Sequence, residues 1–87
     1  MTTLANRVTN IGENLHRTYG YNMASHAFRD ARIAATIRAG LFHVEVKDWN
    51  ATLNWLRDNG DPDYTFSMDD FWFDDANLAF EVKMRFG

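Results

Sequence analysis

The hydrophobic period of this chain changes at Gly40, and that change constrains the fold more than any other feature of the sequence. Before it, Leu4, Val8, Ile11, Leu15 and Tyr19 recur at the three- and four-residue spacing of one helix face. Gly20 is a natural stop, and Asn22 is placed to cap a second helix over about 23–39. That helix carries Met23, Ala24, Ala27, Phe28, Ala31, Ala34, Ala35 and Ile37 on a broad apolar side. Ser25, Arg29, Arg32 and Thr36 fill the other side, which is expected to face solvent. A linker this short folds the two helices into a hairpin over about 4–39. After Gly40 the period becomes two. Phe42, Val44 and Val46 alternate with His43, Glu45 and Lys47, so 41–47 reads as a half-buried strand.

Asp48 then caps a third helix over about 49–59, with Trp49, Leu53 and Leu56 on one stripe and Gly60 and Pro62 ending it. Residues 58–77 form an acidic turn region. Within it "YTFSM" alternates like a strand, while Ser67 followed by Asp70 also fits a capping-box variant. From Leu78 to Phe86 the alternation returns, and 78–86 is expected to be a strand. The expected fold is α+β in a single small domain, ordered α-α-β-α-β-β. Its antiparallel sheet of about three strands packs against helices on one face.

At 87 residues there is room for one core only. Nearly half the residues are apolar and 15% are aromatic, a composition that folds rather than staying disordered. The absence of cysteine excludes disulfides, thiolate metal sites and a cysteine nucleophile. No stretch approaches the roughly 20 apolar residues of a membrane helix, and the N-terminus has no leader pattern, so a cytoplasmic location is expected.

Charge is unevenly distributed. Residues 1–47 set six cations against three carboxylates, whereas residues 48–87 set three cations against nine. Seven aspartates fall between Asp58 and Asp75, and two pairs of them bracket Phe71-Trp72-Phe73 in "SMDDFWFDDAN". In an extended segment Phe71 and Phe73 share one face and Trp72 takes the other, so at least one face should be buried. Trp72 is therefore diagnostic: buried, the segment is scaffold; exposed among aspartates, it is a site.

No motif supports catalysis. "DNGDPD" places glycine third rather than sixth and Asp69 where a calcium loop needs glutamate, so no metal or cofactor is expected. His16, His26 and His43 have no metal-helix spacing and read as surface histidines. Ser25 and His26 are adjacent on a helix and point about 100° apart, which prevents them from acting as a nucleophile–base pair. The reading is non-enzymatic.

Two oppositely charged surfaces remain. Asp61, Asp63, Asp69, Asp70, Asp74 and Asp75, with Tyr64 and Trp72 as aromatic anchors, would present a charge array like a phosphate backbone. Such a patch would dock on the basic surface of a nucleic-acid-handling protein complex and inhibit it by nucleic-acid mimicry. In size and composition, though in no motif, the chain resembles phage-encoded inhibitors, including anti-CRISPR and anti-restriction proteins. That resemblance implies a host-cell cytoplasm and transfers no residue. The alternative is a nucleic-acid-binding module using Arg29, Arg32 and Arg38, a reading that the sequence pI near 5.4 disfavours. A third reading is a structural subunit whose spare aromatics form a homodimer seam.

Overall fold

The computed structural model describes residues 3–87. Its elements run α1 (Leu4–Tyr19), α2 (His26–Arg38), β1 (Phe42–Glu45), α3 (Trp49–Asp58), β2 (Thr65–Ser67), β3 (Asp70–Phe73) and α4 (Ala76–Phe86). They form one α+β domain around a three-stranded antiparallel sheet in the order β1-β3-β2.

Local signals set most of the boundaries. The Thr3 hydroxyl accepts from the Asn6 amide to open α1, and Gly20 at φ 68° closes it. Ser25, rather than Asn22, caps α2 by accepting from the Phe28 amide at 3.1 Å. Asn22 instead makes the preceding turn, its side-chain oxygen accepting from the Ala24 amide. Asp48 opens α3 as expected, accepting from the Ala51 amide.

The sheet is sandwiched, which corrects the expectation of helices on one face. Strand β3 lies in the middle, and all its residues are buried: Asp70 4%, Phe71 0%, Trp72 1% and Phe73 0% exposed. Phe71 and Phe73 pack with Val44, Leu53 and Leu56 of α3, and Ala79 and Val82 of α4. Trp72 points the opposite way, into Leu4 and Val8 of α1, Leu41 and Ile33 of α2. Alternating side chains with helices on both faces require a continuous apolar run, and Phe-Trp-Phe supplies it.

Helix α2 is rotated from the expectation, keeping only Phe28 of the expected apolar side fully buried. Its polar side faces the sheet: Thr36 is fully buried, its hydroxyl accepting from Trp72 Nε1 at 2.9 Å and donating to the Ile33 carbonyl at 2.7 Å. Met23, Ala27, Ala34 and Ile37 are left exposed. Gly12 lets α1 approach α2 closely, since a Cβ there would lie 3.2 Å from Phe28 Cζ.

The expected strand at 78–86 is a helix. Asp75 caps it, accepting from the amides of Asn77 and Leu78 at 2.9 and 3.3 Å. Leu78, Val82 and Phe86 belong to the alternating set, yet their spacing of four is also one helix face. With Ala79 they pack on the core, while Phe80 and Met84 stand 65% and 71% exposed. The third strand comes instead from 70–73, inside the region expected to be turns.

Candidate functional site

Asp70 leaves the acidic array and becomes the centre of an internal charge network. It sits on the Trp72 face of β3, opposite Glu45 of β1, where α2 passes over the sheet. Arg29 reaches it with a two-pronged bond, Nε donating to Oδ2 at 2.8 Å and Nη2 to Oδ1 at 2.7 Å. The same Nη2 lies 3.0 Å from Glu45 Oε2, and His43 Nε2 lies 2.8 Å from Asp70 Oδ1. Asp70 raises the Arg29 pKa above its ordinary value; burial opposes this and Glu45 adds to it. Asp70 and Glu45 thus hold the guanidinium in place, Asp30 lies 3.7 Å from its Nη1, and His43 braces Asp70.

Arg32 lies beside this network. Its guanidinium carbon is 5.0 Å from the Trp72 ring centroid and 5.2 Å from that of Phe28, so it is sandwiched by aromatic rings rather than free in solvent. Burial lowers its pKa, Asp70 works in the opposite direction, and repulsion from Arg29 adds to the lowering. Its Nε is buried without a hydrogen-bond partner. Beyond these residues opens a cleft of about 460 Å³, flanked by Met23 and His26 on one side and Met68 and Asp69 on the other. Ser25 also lines it but is committed to capping α2.

Several expected site residues change role as a result. Trp72 is buried and serves as scaffold, not as an exposed anchor. Asp70 is neutralised internally. Tyr64 is half-buried, its ring stacked 6.2 Å from that of Phe71 as part of the core margin. Arg29 and Arg32 do not form a solvated basic face with Arg38, which alone of the three is exposed. His43, expected on an outward strand face, is largely covered and bonded to Asp70.

The remaining aspartates divide by the sheet register. Thr65 pairs with Trp72 and Ser67 with Asp70, so β2 begins where β3 ends. Asp61 and Asp63 lead into β2, and Asp74 and Asp75 follow β3, which brings all four to one end of the sheet. Asp69 lies at the other end, in the two-residue turn after Ser67; the length of β3, about 10 Å at its rise per residue, separates them. Asp61, Asp63, Asp74 and Asp75 are exposed, and none is ion-paired to a described residue. Asp58, ending α3, is likewise exposed and unpaired.

Met68 carries no signal in the sequence, and Thr36 and His43 read there only as solvent-facing. His43 had a weak signal, since its alternation partners are apolar on both sides. Thr36 had none, because a hydroxyl on a polar helix side is ordinarily read as solvated. Among the described residues no group of three His, Asp or Glu is arranged to hold a metal ion, and no helix is long and apolar enough to cross a membrane. Comparison with protein-family models, with curated proteins and with solved structures finds no match.

Proposed function

We propose that this chain is a non-catalytic binding protein that docks its acidic end, formed by Asp61, Asp63, Asp74 and Asp75, on a basic surface of a nucleic-acid-handling protein and inhibits it as a nucleic-acid mimic. One observation carries the reading. Arg29 is committed to Asp70 and Glu45 toward the Asp69 end and Arg32 is held over Trp72, while these four aspartates stay exposed and without an ion-pair partner among the described residues. The field they generate is therefore directed outward, where it steers a cationic partner. Met68 and Asp69, at the far end of the sheet, lie outside this patch.

The test is capture of proteins by the immobilised wild-type chain and by an Asp61/Asp63/Asp74/Asp75→Asn variant, followed by elution with duplex DNA or RNA. Support is a nucleic-acid-binding protein that the wild type retains, the variant loses and nucleic acid displaces. Its activity on nucleic acid should fall when the wild-type chain is added. Equal retention by both chains, or a bound protein indifferent to nucleic acid, overturns the reading. Binding should also weaken with salt, because exposed charges are screened beyond about 8 Å at physiological ionic strength.

A further inference from the structure

Strand β1 is an edge of the sheet, and the free backbone groups on it follow from parity. The Val46 amide donates to the Asp69 carbonyl at 2.9 Å, continuing the β1–β3 ladder. Successive residues of an antiparallel strand aim their backbone groups alternately toward one neighbour and the other. Phe42, Val44 and Val46 therefore bond toward β3, while His43 and Glu45 direct both N–H and C=O away from it. Both ends of this free edge are closed. The Leu41 amide donates to the Thr36 carbonyl at 3.1 Å and the Lys47 amide to the Phe86 carbonyl at 2.8 Å.

A groove follows the open stretch between those ends. One part, about 370 Å³, has apolar walls from Ile37, Phe42 and Phe80; the next, about 320 Å³, runs past Glu45 and Lys83. Ile37, Phe42 and Phe80 are 55%, 41% and 65% exposed. Edge strands are usually blunted by proline, bulges or inward-pointing lysine. Phe42–Glu45 has no proline, bulge or lysine; it is four residues long, and its one carboxylate, Glu45, is held by Arg29.

We propose that β1 pairs antiparallel with β1 of a second copy across a two-fold axis, joining two sheets into one of six strands. The occupant is argued from self-complementarity. Residues opposite each other in an antiparallel pair share a face and exchange hydrogen bonds only when both direct their backbone groups to the partner. Setting Val44 opposite its own counterpart places His43 opposite Glu45 of the second copy, and Glu45 opposite the second copy's His43. This register engages the N–H and C=O of both residues in both copies. It also sets each Glu45, its side chain mostly exposed beyond its bond to Arg29, opposite His43, whose Nε2 stays on Asp70, whereas shifting it by one pair in either direction sets His43 against His43 or Glu45 against Glu45. Phe42 and Phe80 from each copy then line the seam. None of Asp61, Asp63, Asp74 and Asp75 belongs to this edge, so the dimer and the acidic docking reading stand or fall separately.

Sedimentation equilibrium of the full chain at micromolar to sub-millimolar concentration tests the seam. A monomer–dimer equilibrium is expected. Glu45→Pro removes an outward N–H that the monomer's own ladder does not use, and Phe80→Lys places a charge at the seam. Each should raise the dissociation constant at least about tenfold while the circular dichroism spectrum is retained. Glu45→Ala, which keeps the N–H, should weaken the dimer less than Glu45→Pro. In hydrogen exchange the His43 and Glu45 amides should gain protection as concentration rises, with the Val44 amide protected throughout. A monomer at every concentration overturns the proposal, as does a dimer indifferent to Glu45→Pro and Phe80→Lys. Protection of His43 and Glu45 only when a different protein is added also overturns it and assigns the edge to a heterologous strand.

Discussion

Asp70 has its side chain only 5% exposed and receives both prongs of the Arg29 guanidinium as well as His43 Nε2, so its loss leaves a cation facing a covered site. Breaking a buried pair from one side costs about 3–5 kcal/mol, and Arg29, a third exposed, moves the expectation to the lower end. Asp70→Ala should lower the unfolding free energy by about 3 kcal/mol, measured from urea midpoints. Asp70→Leu combined with Arg29→Met should lose less than Asp70→Leu alone, because no orphaned charge remains. A change below about 0.5 kcal/mol for Asp70→Ala would make the pair equivalent to a surface ion pair. Met68 makes the opposite case. It opens the β2–β3 turn at φ 55°, a left-handed conformation that costs an L side chain roughly 1–2 kcal/mol, and its side chain is mostly exposed. Met68→Gly removes that cost at the expense of a more flexible unfolded chain, so thermal unfolding should shift upward by a net gain of about 0.5–1 kcal/mol. A lower melting temperature would show that the Met68 side chain contributes packing that offsets its strain.

Helix α4 is where local pattern and tertiary demand diverge. Leu78, Phe80, Val82, Met84 and Phe86 alternate like a strand, but every second member of that series also falls on one helix face. Alternation therefore could not decide between the periods. Ala79, Glu81 and Lys83, the residues between them, favour helix, and Asp75 supplies a cap. The helix assignment predicts an unequal response within the apolar series. Val82→Ala, at a position fully buried, should cost about 2 kcal/mol, whereas Met84→Lys should fall within about 0.5 kcal/mol of wild type. Equal costs would favour a strand with both residues on a buried face. The hairpin of α1 and α2, strand β1 and helix α3 were legible because each has one period and a cap or glycine at its ends. The buried side of α2 was not, because its polar residues are satisfied by Trp72 and Asp70, partners about forty residues away in sequence. The aspartates were legible as charge, but only the strand register divides them between the two ends of the sheet and draws Asp70 inside.

On the scale of the molecule, α1 and α2 bring most of the basic charge, and the sheet uses Arg29 internally against Asp70 and Glu45. Exposed at the other end are Asp61, Asp63, Asp74 and Asp75, with Arg57 and Asp58 at the end of the preceding helix. Like charges gathered at one end repel one another, so the arrangement should reduce stability rather than add to it, by a few tenths of a kcal/mol per close pair. Asp75 also caps α4, so it is left intact when this effect is measured on folding alone. Asp61 at φ 47° is best replaced by asparagine, which tolerates the left-handed region. An Asp61/Asp63/Asp74→Asn variant should unfold at the same or a higher temperature than wild type in low salt. That difference should vanish near 1 M salt, where the screening length falls to about 3 Å. A variant less stable than wild type at low salt would mean that these aspartates are held by favourable interactions within the fold. Aspartates retained despite a cost to stability are what an outward-facing docking surface requires, and aspartates that stabilise the fold would belong to turn chemistry alone.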